Sequence, residues 1–146
     1  MRNHITHFTM MKILLLLLVT SLNIFESSAR SCLITYEVRI QILNEIEDSQ
    51  PLTIHCWSKD DNLGYHTLKY ISYYEWSFCE QAFKGSRFFC DFWWGSKHKF
   101  FDAFRSEKHG PSDWQHYWFA RKDGIYHSSF NKPAQNGTPI KFYDWE

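Results

Sequence analysis

The sequence predicts an all-β fold, a small antiparallel β-sandwich held by disulfides, and three observations carry that expectation. Apolar and polar residues alternate with period two in segment after segment; turn signals built on Gly, Pro, Asn and Asp recur roughly every 8 to 15 residues; and past the N-terminal segment no stretch carries a helical period. Four cysteines, Cys32, Cys56, Cys79 and Cys90, are spread through the same region.

Residues 1–29 read as a cleavable export signal. Arg2 and Lys12 supply positive charge, residues 13–19 form an unbroken aliphatic run, and Ser27-Ser28-Ala29 offers the small residues that a signal peptidase requires. The run has seven residues, well short of the roughly 20 that a membrane span needs, so no anchor is expected. Met10 and Met11 stand just before the run, separated from it by Lys12 alone, and a start there would give a shorter signal. Residues 30–146 then form one domain of 117 residues (146 minus 29).

Within that domain, Val38, Ile40 and Ile42 alternate with Glu37, Arg39 and Gln41 over residues 36–42, a half-buried strand. Leu52, Ile54 and Cys56 alternate with Thr53, His55 and Trp57 in a second. The cluster at residues 58–64, ending in Gly64, predicts an exposed loop. Residues 73–78 and 87–94 are aromatic-rich and, joined through Gly85, predict a core hairpin; the connection at residues 80–84 has room for one helical turn. Residues 95–99 break the pattern, residues 100–104 give a short strand, and residues 106–113, with Gly110 and Pro111, give a polar loop. Residues 116–121 and 125–127 flank Lys122-Asp123-Gly124, a hairpin turn signal. Residues 140–145 make a last strand after a loop carrying Pro133, Gly137 and Pro139. The count is seven to nine strands.

Charge excludes one function class. The chain has 16 basic and 16 acidic residues; removing Arg2, Lys12 and Glu26 leaves 14 and 15. Without basic excess or a basic stripe, nucleic-acid binding is not expected, because phosphate neutralisation supplies most of that affinity. An even set of cysteines in an exported domain reads as two disulfides, with three connectivities open. The spacings of 24, 23 and 11 residues, with no CxxC pair, fit no zinc template.

Taken in order, several blocks resemble the plant self-incompatibility protein family, the S-protein homologues. They are Val38-Arg39-Ile40; the run from Leu52-Thr53-Ile54-His55-Cys56-Trp57 through Ser58-Lys59-Asp60-Asp61-Asn62-Leu63-Gly64; Glu75-Trp76-Ser77-Phe78; Phe88-Phe89-Cys90; Phe101-Asp102-Ala103-Phe104; and Trp118 with Asp123-Gly124-Ile125-Tyr126. The block around Cys56 is the most specific. The resemblance implies a small secreted β-sandwich acting as an extracellular signalling ligand for a cell-surface receptor, in self-incompatibility or another signalling or developmental role, without catalysis and without a cofactor. One departure stands out: the family usually places two cysteines shortly before the Trp that precedes the Asp-Gly turn, and residues 111–117 contain none. Cys56 and Cys90 match the family in position, while Cys32 and Cys79 are this chain's own complement, so the pairing is not carried over.

Two rival classes compete with this reading. For a secreted hydrolase, His55, His66, His98, His109, His116, His127, Asp60, Asp61 and Glu75 are the available groups, but no nucleophile elbow or HExxH pattern organises them. His55 and Cys56, as strand neighbours, point to opposite faces, and the histidines read as surface residues rather than metal ligands. For a carbohydrate-binding module, Trp93-Trp94 would turn one indole outward, the kind of ring that sugar platforms and protein hot spots share. The run of residues 60–62 lacks a full calcium-loop pattern and reads as a solvated turn. Asn136 begins an Asn-Gly-Thr glycosylation acceptor that the following Pro139 disfavours. Partner recognition is expected in loops, above all in residues 106–113, with Ser106, Glu107, Lys108, His109 and Asp113 as contacts. A monomer is expected.

Overall fold

In the computed structural model the described residues are 10–15, 32, 35–81, 84–106, 114–129 and 138–146. The chain separates into two units, Met1–Ser31 and Cys32–Glu146. In the first, residues 10–15 are helical, and no helix among the described residues is long and apolar enough to cross a membrane.

The second unit is a two-layer β-sandwich. Its strands are β1 (Glu37–Asn44), β2 (Leu52–Trp57), β3 (Asn62–Leu68), β4 (Tyr73–Cys79), β5 (Arg87–Trp94), β6 (Lys97–Arg105), β7 (Gln115–Arg121), β8 (Gly124–Ser129) and β9 (Ile140–Tyr143). They form a five-stranded sheet in the order β4-β1-β7-β8-β9 and a four-stranded sheet in the order β3-β2-β5-β6. The alternation read from the sequence sets what each strand buries. Val38, Ile40 and Ile42 of β1, Leu52, Ile54 and Cys56 of β2, and Phe88, Cys90 and Phe92 of β5 all face inward. They meet Trp76, Trp118, Phe101 and Phe104 between the layers. Burying an aliphatic or aromatic side chain contributes about 1.5 to 3 kcal/mol, so this interior is the main source of stability.

The structure joins Cys56 to Cys90 and Cys32 to Cys79. The first pair lies directly opposite on the neighbouring strands β2 and β5, with Cα atoms 4.2 Å apart inside the core. The second ties the segment before β1 to the end of β4.

Several expectations are corrected. β4 and β5 do not form a hairpin: β4 pairs with β1, and β5 lies between β2 and β6 in the other layer. Their aromatic residues pack across the sandwich, Phe78 against Phe88 at 4.5 Å and Trp76 against Phe88 at 5.8 Å, and aromatic density alone does not distinguish a partner strand from a facing layer. The sheets are not wholly antiparallel, because β1 and β7 run parallel. The predicted loop at residues 58–64 is shorter: β3 begins at Asn62, and as an edge strand with few buried positions it lacks a clean alternation. Likewise β6 begins at Lys97, its polar first residues paired with Trp93 and Trp94, so the break at residues 95–99 is a turn at Gly95 and Ser96. β9 ends at Tyr143, before Trp145. His116 and His127 are buried in the core, not on the surface. Their rings meet at 3.1 Å between Nδ1 and Nε2, an imidazole pair that satisfies polar groups inside an aromatic cage of Phe104, Trp118 and Phe142. Residues 82 and 83 of the 80–84 connection lie outside the described residues.

Asn44, fully buried at the end of β1, organises the turn between β3 and β4. Its side-chain amide donates to the Leu68 carbonyl at 2.9 Å and its side-chain oxygen accepts the Ile46 amide at 2.9 Å. Its backbone accepts the Ile71 amide at 2.8 Å and donates to the Ser72 carbonyl at 3.0 Å. These bonds hold Ile71 at φ 61°, a left-handed conformation that costs a β-branched residue on the order of 1 to 2 kcal/mol.

Candidate functional site

The inward face of the four-stranded sheet is apolar, so the alternation should leave polar residues outward. It leaves rings instead. Tyr65 of β3, His55 and Trp57 of β2, Phe89 and Trp93 of β5, and His98 and Phe100 of β6 all point to the outer face, and register brings them together: Tyr65, His55, Asp91 and Phe100 form one row across the sheet. Tyr65 is 70% and Phe100 49% exposed.

The rings lean on one another. His55 stacks on Tyr65 at 4.4 Å and on Trp57 at 4.7 Å. Trp57 lies 5.9 Å from both Phe89 and Phe100, which are 5.6 Å apart, and Trp93 bridges Tyr65 at 6.0 Å and His98 at 5.4 Å. Interplanar angles run from 15° to 32°. Near-parallel rings this close must be shingled, each covering part of its neighbour's face. The shingling holds each ring in place against its neighbours.

Polar groups are fixed among the rings. His98 Nε2 and Asp91 Oδ1 are 2.7 Å apart. Arg87 holds Asp102 bidentately at 2.9 and 3.2 Å through Nη2, with Nε at 3.1 Å, and its guanidinium lies 4.4 Å over Phe89. Ion pairs at a surface such as this contribute about 0 to 1 kcal/mol each; their larger effect is to hold the face in one arrangement. Next to it, a cleft of about 510 Å³ lies between the 58–61 turn and the start of β5, sharing Arg87 and Phe89 with the face.

The candidate catalytic residues do not converge. His55 bonds Asn62 at 2.9 Å. His66 bonds the Leu63 carbonyl at 2.8 Å and stacks on Tyr74. Glu75 accepts from Gln41 and lies against Arg39 on the other sheet. Ser58 Oγ accepts the amides of Asp60 and Asp61 at 3.2 and 3.0 Å, so both aspartates belong to a turn. Among the described residues no group of three or more His, Cys, Asp or Glu could hold a metal ion. Of the two indoles weighed for sugar binding, Trp93 belongs to the outer face, while Trp94 packs against the core beside Trp145. Ser106 is an anchor: its hydroxyl accepts the Ser86 amide at 2.6 Å. Glu107, Lys108, His109, Asp113 and Asn136 lie outside the described residues. The ring face itself was missed as a unit, although its signal is in the sequence: the outward positions of β2 and β5 read Thr-His-Trp and Phe-Asp-Trp.

Comparison with known proteins gives a consistent picture. The family model described as plant self-incompatibility protein S1 matches residues 39–145. S-protein homolog 8 of Arabidopsis thaliana is 34% identical over 107 residues, covering 70% of this chain and 76% of its own. S-protein homolog 29 of the same plant is 29% identical over 133 residues, covering 90% and 93%. A solved structure of SPH (Self-Incompatibility Protein Homologue) proteins, described as a widespread family of small, highly stable, secreted proteins from plants, matches with a TM-score of 0.60 and 25% identity over 77% of this chain and 96% of that one.

Proposed function

The chain belongs to the plant self-incompatibility protein S1 family, and from that premise we propose that it is a small secreted plant protein that acts, without catalysis, as an extracellular signalling ligand for a cell-surface receptor. Export is supported by the aliphatic run behind Lys12, by two disulfides, and by the description of the SPH proteins as secreted. On this reading residues 1–29 are removed.

The observation that carries the binding role is the ring face of the β3-β2-β5-β6 sheet. Large rings held rigid by their neighbours lose little entropy on association, which is why Tyr and Trp dominate protein interfaces. Four strands at ~4.8 Å spacing and about 20 Å of length offer roughly 400 Å², half of the ~800 Å² per partner in a standard interface. Surface beyond the face must supply the rest; residues 58–61 are one candidate, and residues 106–113, which follow β6 in the chain, are proposed from their sequence as the determinant of partner choice.

The test uses the full secreted chain, fluorescently labelled, on protoplasts of the source plant. Saturable binding that disappears when cell-surface proteins are shaved with protease is expected, and the combined variant Trp57→Ala with Tyr65→Ala should fold normally and lose it. Binding instead to soluble plant polysaccharides, abolished by Trp93→Ala, would favour the carbohydrate-binding module; turnover of an extracellular substrate would favour a hydrolase.

A further inference from the structure

Ile71 occupies a position where its own chemistry is unwelcome. Its φ of 61° lies in the left-handed region that Gly and Asn adopt readily and β-branched residues avoid, and its side chain is 57% exposed, so no core packing explains it. The conformation is over-determined from below. Fully buried Asn44 bonds Leu68, Ile71 and Ser72, and the Ser72 amide and hydroxyl both donate to the Lys69 carbonyl, at 3.0 and 2.7 Å. A turn fixed this firmly holds an exposed aliphatic residue beside exposed Tyr70, at 48%. Strain retained at a surface where a milder residue would fit points to a use for the side chain.

We propose that the Tyr70-Ile71 tip is a preformed knob that inserts into an apolar socket on the protein partner. This rests on the receptor-ligand reading, and the strand that carries Tyr65 of the ring face, β3, is the one that leads into this turn. A protein socket is favoured over a lipid surface because the tip offers two apolar side chains, Tyr70 and Ile71, and the single cation Lys69, whereas stable seating on a bilayer takes a broad apolar face or a cluster of basic residues. A socket of matching size gains instead from meeting a side chain already fixed in its bound position.

The test pairs stability with binding. Ile71→Gly and Ile71→Asn relieve the strain, so both variants should melt at or above the temperature of the original chain while their Kd for protoplasts of the source plant rises at least tenfold; Ile71→Leu should retain most of the affinity. Loss of binding in a protein of undiminished stability cannot be a folding defect. Unchanged affinity in the Gly and Asn variants, with protease-sensitive binding intact, overturns the knob and leaves the ligand reading standing. Absence of protease-sensitive binding in the original chain overturns both. Equal binding to protein-free phosphatidylcholine and phosphatidylserine vesicles, lost in Ile71→Asn, overturns the protein socket in favour of a lipid one.

Discussion

The indole of Trp118, in β7, donates to the carbonyl of Ala103, in β6, at 3.0 Å, and so bonds one layer of the sandwich to the other. Ala103 is available because the β5–β6 register slips there: Phe104 opposes Phe88 and Asp102 opposes Phe89, leaving Ala103 without a partner. A bulge removes a residue from the ladder and frees its carbonyl, and the buried indole needs an acceptor.

Trp118→Phe should therefore do more than shrink a ring. It leaves a void beside Phe101 and His127 and strips the Ala103 carbonyl of its donor, a combined cost of about 2 to 3 kcal/mol. Urea denaturation reads this as a lower midpoint at unchanged slope. A midpoint within error of the original would show that the interlayer bond contributes nothing.

Gly124 opens β8 at φ 153°, and a side chain there would run into the Tyr143 carbonyl and the Lys141 side chain. Gly124→Ala must push β9 away from β8, with a cost of about 2 kcal/mol. Amide exchange should accelerate at Tyr126 and His127, which pair with Lys141 and Ile140, while β2 and β5 keep their protection. Uniform acceleration across both sheets would instead mean global destabilisation.

The two disulfides differ in access. Cys56 and Cys90 are 1% and 0% exposed, whereas Cys79 ends β4 on the surface. Mild dithiothreitol should reduce Cys32–Cys79 in the folded protein and spare Cys56–Cys90 until unfolding, as followed by alkylation and mass spectrometry. Each closes a long loop, with sequence separations of 47 and 34. Loop entropy alone predicts about 4 kcal/mol lost per bridge. Simultaneous reduction of both would contradict the burial.

Much of this was legible in the residues, and the failures have identifiable physical causes. β1, β2 and β5 were readable because each buries one face and exposes the other, which writes period two into the chain. β3 and the first residues of β6 were not, because neither buries enough alternate positions. The β4–β5 hairpin failed because sequence reports which residues are apolar but not whether they meet side by side or across layers. The ring face was hidden by the same rule that found the strands: outward positions were expected to be polar, so Trp57, Phe89 and Phe100 were not gathered into one surface. The Ile71 turn was invisible, since no residue type there announces a positive φ.

Tyr36 gives a prediction about alkali. Burial first, then its hydrogen bond and proximity to the Glu80 carboxylate, push its phenol from 10.0 up to about 12. Both causes disfavour the phenolate, so the folded protein keeps a proton that the unfolded chain releases near 10. The stability associated with this group is complete below pH 10 and is lost as pH rises toward 12. Absorbance at 295 nm should contain a late-titrating step near pH 12 that is absent in Tyr36→Phe. The variant should also lose less stability between pH 10 and 12 than the original chain. Because Tyr74, Tyr126 and Tyr143 are raised as well, the difference between the two proteins, not the curve of either, isolates Tyr36. Equal losses of stability in the two proteins between pH 10 and 12 would mean that neither burial nor the Glu80 carboxylate raises this phenol in the folded protein.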